Sequence, residues 1–152
     1  MTDPTNDFIP CMLIPLRQHY LLLPHATVAE VIPMPKFTHT TTKPSFWLGH
    51  YNWNKQSLAI IDLELLIETM TDDVVSGKKL CIIHSINPDN AINAFAIPCY
   101  GAQQLIHLND SGLKSVEPAT DTPFLHYRSH IANRVAYIPN LDAIENTICH
   151  NL

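Results

Sequence analysis

The sequence predicts an all-β fold with short helices, arranged as two small matched barrels with a groove between them. Two observations carry this. The chain repeats itself at an offset of roughly 75 residues. Leu22–Ile32 recurs in outline as Ala96–Ile106, with Pro24 matching Pro98 and Ile32 matching Ile106. Gly49–Leu66 recurs as Ser129–Ile144, with Asp62 falling on Asn140. The second observation is a series of short apolar runs separated by turn residues, at a spacing of about 8–12 residues that suits strands of small barrels.

In order along the chain, Phe8–Leu16 and His19–Leu23 are β-leaning apolar runs joined by the polar turn Arg17-Gln18, a first hairpin. Pro24 ends the second strand. His25–Val31 can make at most one or two helical turns, with Val28 and Val31 on one side; on a short helix or an edge strand Glu30 faces away from that pair. Pro33–Pro44 is an exposed loop rich in Pro and Thr. Trp47–Trp53 and Leu58–Ile61 flank the tip Asn54-Lys55-Gln56, where Asn tolerates positive φ. Asp62 caps Leu63–Met70, whose Leu63, Leu66, Ile67 and Met70 form one apolar face. Thr71–Lys78 joins the two copies. In the second copy, Leu80–Ile86 and Ile92–Ile97 are strands around the turn Asn87–Asn90, and Gln103–Leu108 is a further strand. Asn109–Pro123 is mostly loop, Leu125–Ala132 and Val135–Ile138 flank the tight turn Asn133-Arg134, and Asn140 caps Leu141–His150. Such strands with only short helices imply SH3-like barrels.

Composition narrows the function. Apolar residues make up 46 % and charged residues 15 %, enough for a core and too little charge for a disordered chain. With 4 glycines and 12 prolines, a Gly-rich phosphate cradle is disfavoured. A net charge of −5 without a basic cluster argues against nucleic acid as a partner. The first residues, MTDPTNDF, carry two acids and lack the basic start of a secretory signal, and no apolar run is long enough to span a membrane. Four cysteines without CxxC spacing, three of them in apolar runs, fit a reducing compartment, so a cytoplasmic protein without membrane insertion is expected.

Catalytic and metal patterns are sparse. Cys81 and His84 have a C-x-x-H spacing, but residues i and i+3 of a strand point to opposite faces and cannot share an ion. Cys99 with a remote histidine is conceivable as a nucleophile, against an ordinary reading as core at the Tyr100-Gly101 bend. No G-x-S-x-G, H-E-x-x-H or P-loop occurs. Three features point to binding instead. Trp53 beside the hairpin tip is either an interface anchor or a barrel-core contact. Glu30 either fixes a partner by a rim hydrogen bond or is simply solvated. Phe37–Lys43 is a connector or a binding loop.

The series Pro24-x3-Val28-x-Glu30-Val31, then Pro44-x4-Gly49-x2-Asn52 and later Asp62-Leu63, resembles the CheW family of bacterial chemosensory coupling proteins. The second half resembles the family more loosely, through Gly101, Leu105, Leu108 and Leu113. The resemblance extends over about Phe8–Thr147. It implies one CheW-like domain over residues 8–150, with subdomains of about 8–72 and 79–150. These would be two intertwined five-stranded SH3-like barrels, with strands exchanged between them. It further implies a non-enzymatic adaptor with no cofactor, no metal and no catalytic residue. Its partners would be the cytoplasmic tip of a methyl-accepting chemotaxis receptor and the regulatory domain of a CheA-type histidine kinase. The family's contact positions fall on Val28, Glu30, Asn52, Asn54, Leu80 and Leu105, a helix-in-groove mode of binding. The family's Arg-Gly at the hairpin tip is Asn54-Lys55 here, its following Pro is Ala59, and a Val-Asp pair is Cys99-Tyr100. Those departures resemble an accessory member of a type IV pilus twitching system, decoupled from the kinase and competing for receptors or binding another pilus regulatory protein.

Overall fold

The first half of the chain forms β1 (Ile9–Pro15), β2 (Tyr20–Pro24), β3 (Val28–Pro33), β4 (Thr38–His39), β5 (Trp47–Trp53), β6 (Gln56–Ile61) and helix α1 (Leu63–Ile67). The second half forms β7 (Lys79–His84), β8 (Ala94–Cys99), β9 (Gln104–Leu108), β10 (Glu117–Pro118), β11 (Leu125–Ile131), β12 (Arg134–Pro139) and helix α2 (Leu141–His150). The structure, a computed structural model, describes residues 9–68, 78–87, 89, 91–108, 116–131 and 133–152. The join Thr71–Gly77, Met70 and Leu113 lie outside the described residues.

Two six-stranded sheets result, ordered β10-β11-β12-β2-β1-β9 and β4-β5-β6-β8-β7-β3. Each sheet therefore combines strands from both halves. The five strands expected per barrel become six because the two-residue strands β4 and β10 pair with β5 and β11. Both arise inside segments read from sequence as loop, where Pro, Thr and Ser give no alternating pattern.

The repeat is visible in the pairing registers. Cys11 lies opposite Pro24 on one side and Ile106 on the other. Leu80 lies opposite Pro98 and Ile32 in the same way. Pro24 and Pro98, and Ile32 and Ile106, are thus equivalent, as the sequence alignment has them. In the later part Asp62 and Asn140 are equivalent helix caps, accepting from Leu65 N–H at 3.1 Å and Ala143 N–H at 3.2 Å. The strand before them is shifted, however. Gly49 pairs with Ile60 and Tyr127 with Ile138, so the partner of Gly49 in the repeat is Tyr127 and not Ser129.

Side chains alternate between a shared core and the inner face of each sheet. Cys81, Ile83, Phe95, Ile97, Ala59 and Ile61 enter the shared core with Ile14, Leu21, Leu23, Tyr137 and Ile144. Their neighbours Leu80, Ile82, Ala94, Ala96, Leu58 and Ile60 fill the inner face of the second sheet. Cys11, Leu13 and Leu22 do so for the first. Burial on both faces explains why the central strands read as unbroken apolar runs.

The alternative of helix or edge strand is settled locally. His25–Val31 is not a helix: His25–Thr27 make a single 3₁₀ turn and Val28–Pro33 form β3. A bulge between Val28 and Glu30 slips the pleat by one residue. Val28 and Val31 then face the same core at a spacing of three, which imitates helical periodicity. The tip of the second hairpin is also shorter than expected. Asn54 and Lys55 have φ of 48° and 64°, and Gln56 already belongs to β6. This is a two-residue turn of the kind that matches strand twist.

Candidate partner-binding surface

The six positions singled out from sequence separate into distinct places. Val28 lies opposite Ile83, and Leu105 opposite Met12. Directly paired residues share a face, so both point to the side of their sheet that meets the shared core. Each sits on a strand at the edge of its sheet. Val28 is partly buried against the core, whereas Leu105 is 52 % exposed, a large apolar side chain in solvent.

Glu30 and the tip of the β5–β6 hairpin form a second place. The indole N–H of Trp53 donates to Glu30 Oε2 at 3.0 Å, and the Trp53 ring meets His84 edge-on at 6.4 Å. In sheet order three strands separate β5 from β3, so this bond requires the second sheet to curl back on itself. Trp53 is both an inner-face packing residue and a tip aromatic, and Glu30 is held by the chain itself. Asn54 is exposed at the tip beside it. Asn52 is exposed on the opposite face of β5 and lines an open depression of about 520 Å³ with Lys36, Phe37, Thr38, His50, Tyr51 and Ser57.

Leu80 departs from the sequence reading. It is 0 % exposed and packs on the inner face of the second sheet with Leu58 and Ile82. Its pleat position turns it inward, beneath the surface.

The structure also brings together groups that the sequence reading treated as turn residues and a plain cap. Glu64, 2 % exposed on α1, accepts from the Arg17 N–H at 2.7 Å, the Gln18 N–H at 3.0 Å and His19 Nδ1 at 2.8 Å. Arg17 Nη2 donates to Asp62 at 2.7 Å. Burial alone would raise the Glu64 carboxyl, but His19 and the two backbone N–H groups more than offset it, and the net shift is downward. Asp62 is shifted upward, because burial outweighs its bonds from Leu65 and Arg17. The available signal was a glutamate inside the otherwise apolar stretch Leu63–Ile67.

The Cys99 side chain is fully buried. Burial pushes the Cys99 thiol up to about 11, away from the thiolate that a nucleophile requires. Cys81 is buried in the shared core with its thiol also pushed up, while exposed His84 lies on the other face of β7. No helix among the described residues is long and apolar enough to cross a membrane.

Comparison with known proteins decides the family. The CheW-like domain matches residues 10–148 of the chain. The chain belongs to the CheW-like domain family. Among solved structures, this CheW-like chain resembles the scaffolding protein TtCheW from Thermoanaerobacter tengcongensis. The TM-score is 0.67 at 15 % identity, covering 88 % of this chain and 85 % of that one. At that identity the likeness concerns the fold. No curated protein sequence matches the chain.

Proposed function

We propose that this CheW-like chain is a non-enzymatic, cytoplasmic scaffold of a bacterial chemosensory array, coupling the tip of a methyl-accepting receptor to the regulatory domain of a CheA-type kinase. Residues 8–150 act as one unit in this reading, with copies of about 8–72 and 79–150. Family membership over residues 10–148 is the observation that carries the proposal. The exposed Leu105, with Val28 on the matching face of the other sheet, supports a surface that takes the apolar stripe of a receptor helix. Glu30, Asn52 and Asn54 lie apart from that surface and are proposed as separate polar contacts. Leu80 contributes only as buried support.

Binding is tested by titrating the full chain with a receptor-tip hairpin and, separately, with a kinase regulatory domain. Saturable binding to both is expected at concentrations up to roughly 100 μM, the range of transient contacts. Binding to neither overturns the proposal.

A second reading is a decoupled accessory member that occupies receptors without recruiting kinase, as in a type IV pilus system. The tip favours it: Asn54-Lys55 stands where the family carries Arg-Gly, and a flexible ammonium cannot offer the guanidinium's planar fork. Under this reading, N54R/K55G raises affinity for the kinase domain sharply and leaves receptor binding alone. Unchanged kinase affinity removes the accessory reading.

A further inference from the structure

The two halves pin their first hairpins to the opposite sheet by different chemistry. In the second half, buried Glu145 of α2 accepts from the Ser85 hydroxyl and from the Ile86 N–H. Those donors do not titrate. In the first half this part is played from a different position: Glu64, two residues after its cap where Glu145 lies five after its own, has donors that include Arg17 and His19 at the β1–β2 tip. The hairpin and β12 belong to the first sheet, whereas α1 follows β6 of the second. This joint therefore ties one sheet to the other.

His19 stands between two carboxylates. Nδ1 is 2.8 Å from Glu64 Oε2, and Nε2 is 3.9 Å from Glu68 Oε1. Its ring stacks on Tyr137 at 4.3 Å, and the Tyr137 hydroxyl donates to the same Glu68 oxygen at 3.0 Å. A carboxylate only accepts, so Glu64 fixes a proton on Nδ1 in either charge state. A second ring proton, where present, therefore sits on Nε2, facing Glu68. With it, His19 attracts both carboxylates; without it, an imidazole lone pair faces Glu68. Charge count gives the same sense. Asp62 and Glu64 share one guanidinium, Arg17, which leaves a buried negative charge that a protonated His19 neutralises. The surrounding charged and titratable groups are Arg134, which donates to the Leu16 carbonyl, Arg128 over the Tyr137 ring, and Tyr100 beside Arg17.

We propose that His19 is a proton-operated latch between the two sheets, closed on Glu64 and Glu68 when both ring nitrogens carry hydrogen and loosened when Nε2 is bare. Histidine is the side chain suited to switch near neutrality. The latch is independent of which partner the protein binds.

The test follows the histidine ring signals of the full chain by NMR across pH 5.5–8.5, together with amide exchange across the β2–β12 seam and in α1. As His19 loses its Nε2 proton, protection at Leu21, Tyr137 and Leu66 falls about fivefold, the scale of a partly exposed ion pair. H19Q removes that step. E68Q, at a half-exposed position that leaves the fold intact, keeps an acceptor for Tyr137 and shrinks the step. Protection that ignores pH overturns the latch, and so does a step that persists unchanged in H19Q or in E68Q.

Discussion

Single residues set the geometry of the hairpin tip and of the neighbouring edge. Lys55 adopts φ of 64° with a full side chain, a conformation that costs an L-residue about 1 kcal/mol and glycine almost nothing. K55G is therefore expected to stabilise the protein by about 0.5–1 kcal/mol, read as a higher urea midpoint at unchanged slope. Destabilisation would mean that the ammonium makes a contact outweighing the backbone strain. Gly49 is constrained differently. A Cβ there would collide with the Thr38 carbonyl and come within 2.9 Å of the Phe37 ring. G49A must displace β4, and a loss of about 2 kcal/mol or more is expected in denaturant unfolding, with altered Thr38 and His39 amide signals. The motif reading identified Gly49 as a family position; the reason for it, an adjacent backbone, required the β4–β5 pairing.

At the level of elements, the joint between α1 and the first hairpin gives a pH signature. The Glu64 carboxyl is lower in the folded chain than in the unfolded one, so the fold binds its proton less tightly. Its stabilising contribution is complete above the ordinary glutamate value of about 4.3 and is lost as pH falls through the lower folded value. Asp62, shifted upward, works in the opposite sense and favours the fold more at low pH. Urea unfolding between pH 3 and 7 should show E64Q weaker than the parent at neutral pH, with the gap closing below about pH 4. A gap that stays constant with pH would mean that Glu64 acts by shape alone. Element types were readable where both faces of a strand are buried, as in Leu80–Ile83 and Phe95–Ile97. They were ambiguous between helix and edge strand at Val28–Ile32, where a bulge substitutes a spacing of three for a spacing of two. A bulge is set by the partner strand, and the partner β7 lies about fifty residues away in sequence.

Across the whole molecule, two sheets share one core, with β3 and β9 each at one edge of its sheet. A partner lying along Leu105 would cover most of that side chain, contributing about 1.5–2 kcal/mol from apolar area. L105E should weaken receptor-hairpin binding by at least tenfold while leaving the urea midpoint nearly unchanged, because the position is already half in solvent. L80A should do the reverse, lowering stability by about 2–5 kcal/mol with little effect on affinity measured on the folded fraction. Loss of binding in L80A alone would reverse the roles assigned to these two leucines.

Local chemistry along the chain was sufficient for the strand runs, the two capped helices, the positive-φ tip and the internal repeat. All of these arise from residues close together in sequence or from direct comparison of one copy with the other. Three-dimensional packing alone fixed which half supplies each strand, which face Leu80 and Leu105 present, and why Glu30 is taken by Trp53. It also assembled Arg17, His19, Glu64 and Tyr137 into one joint. Those outcomes depend on pairing between distant strands, and a pattern with a period of two cannot say which neighbour will cover a given face.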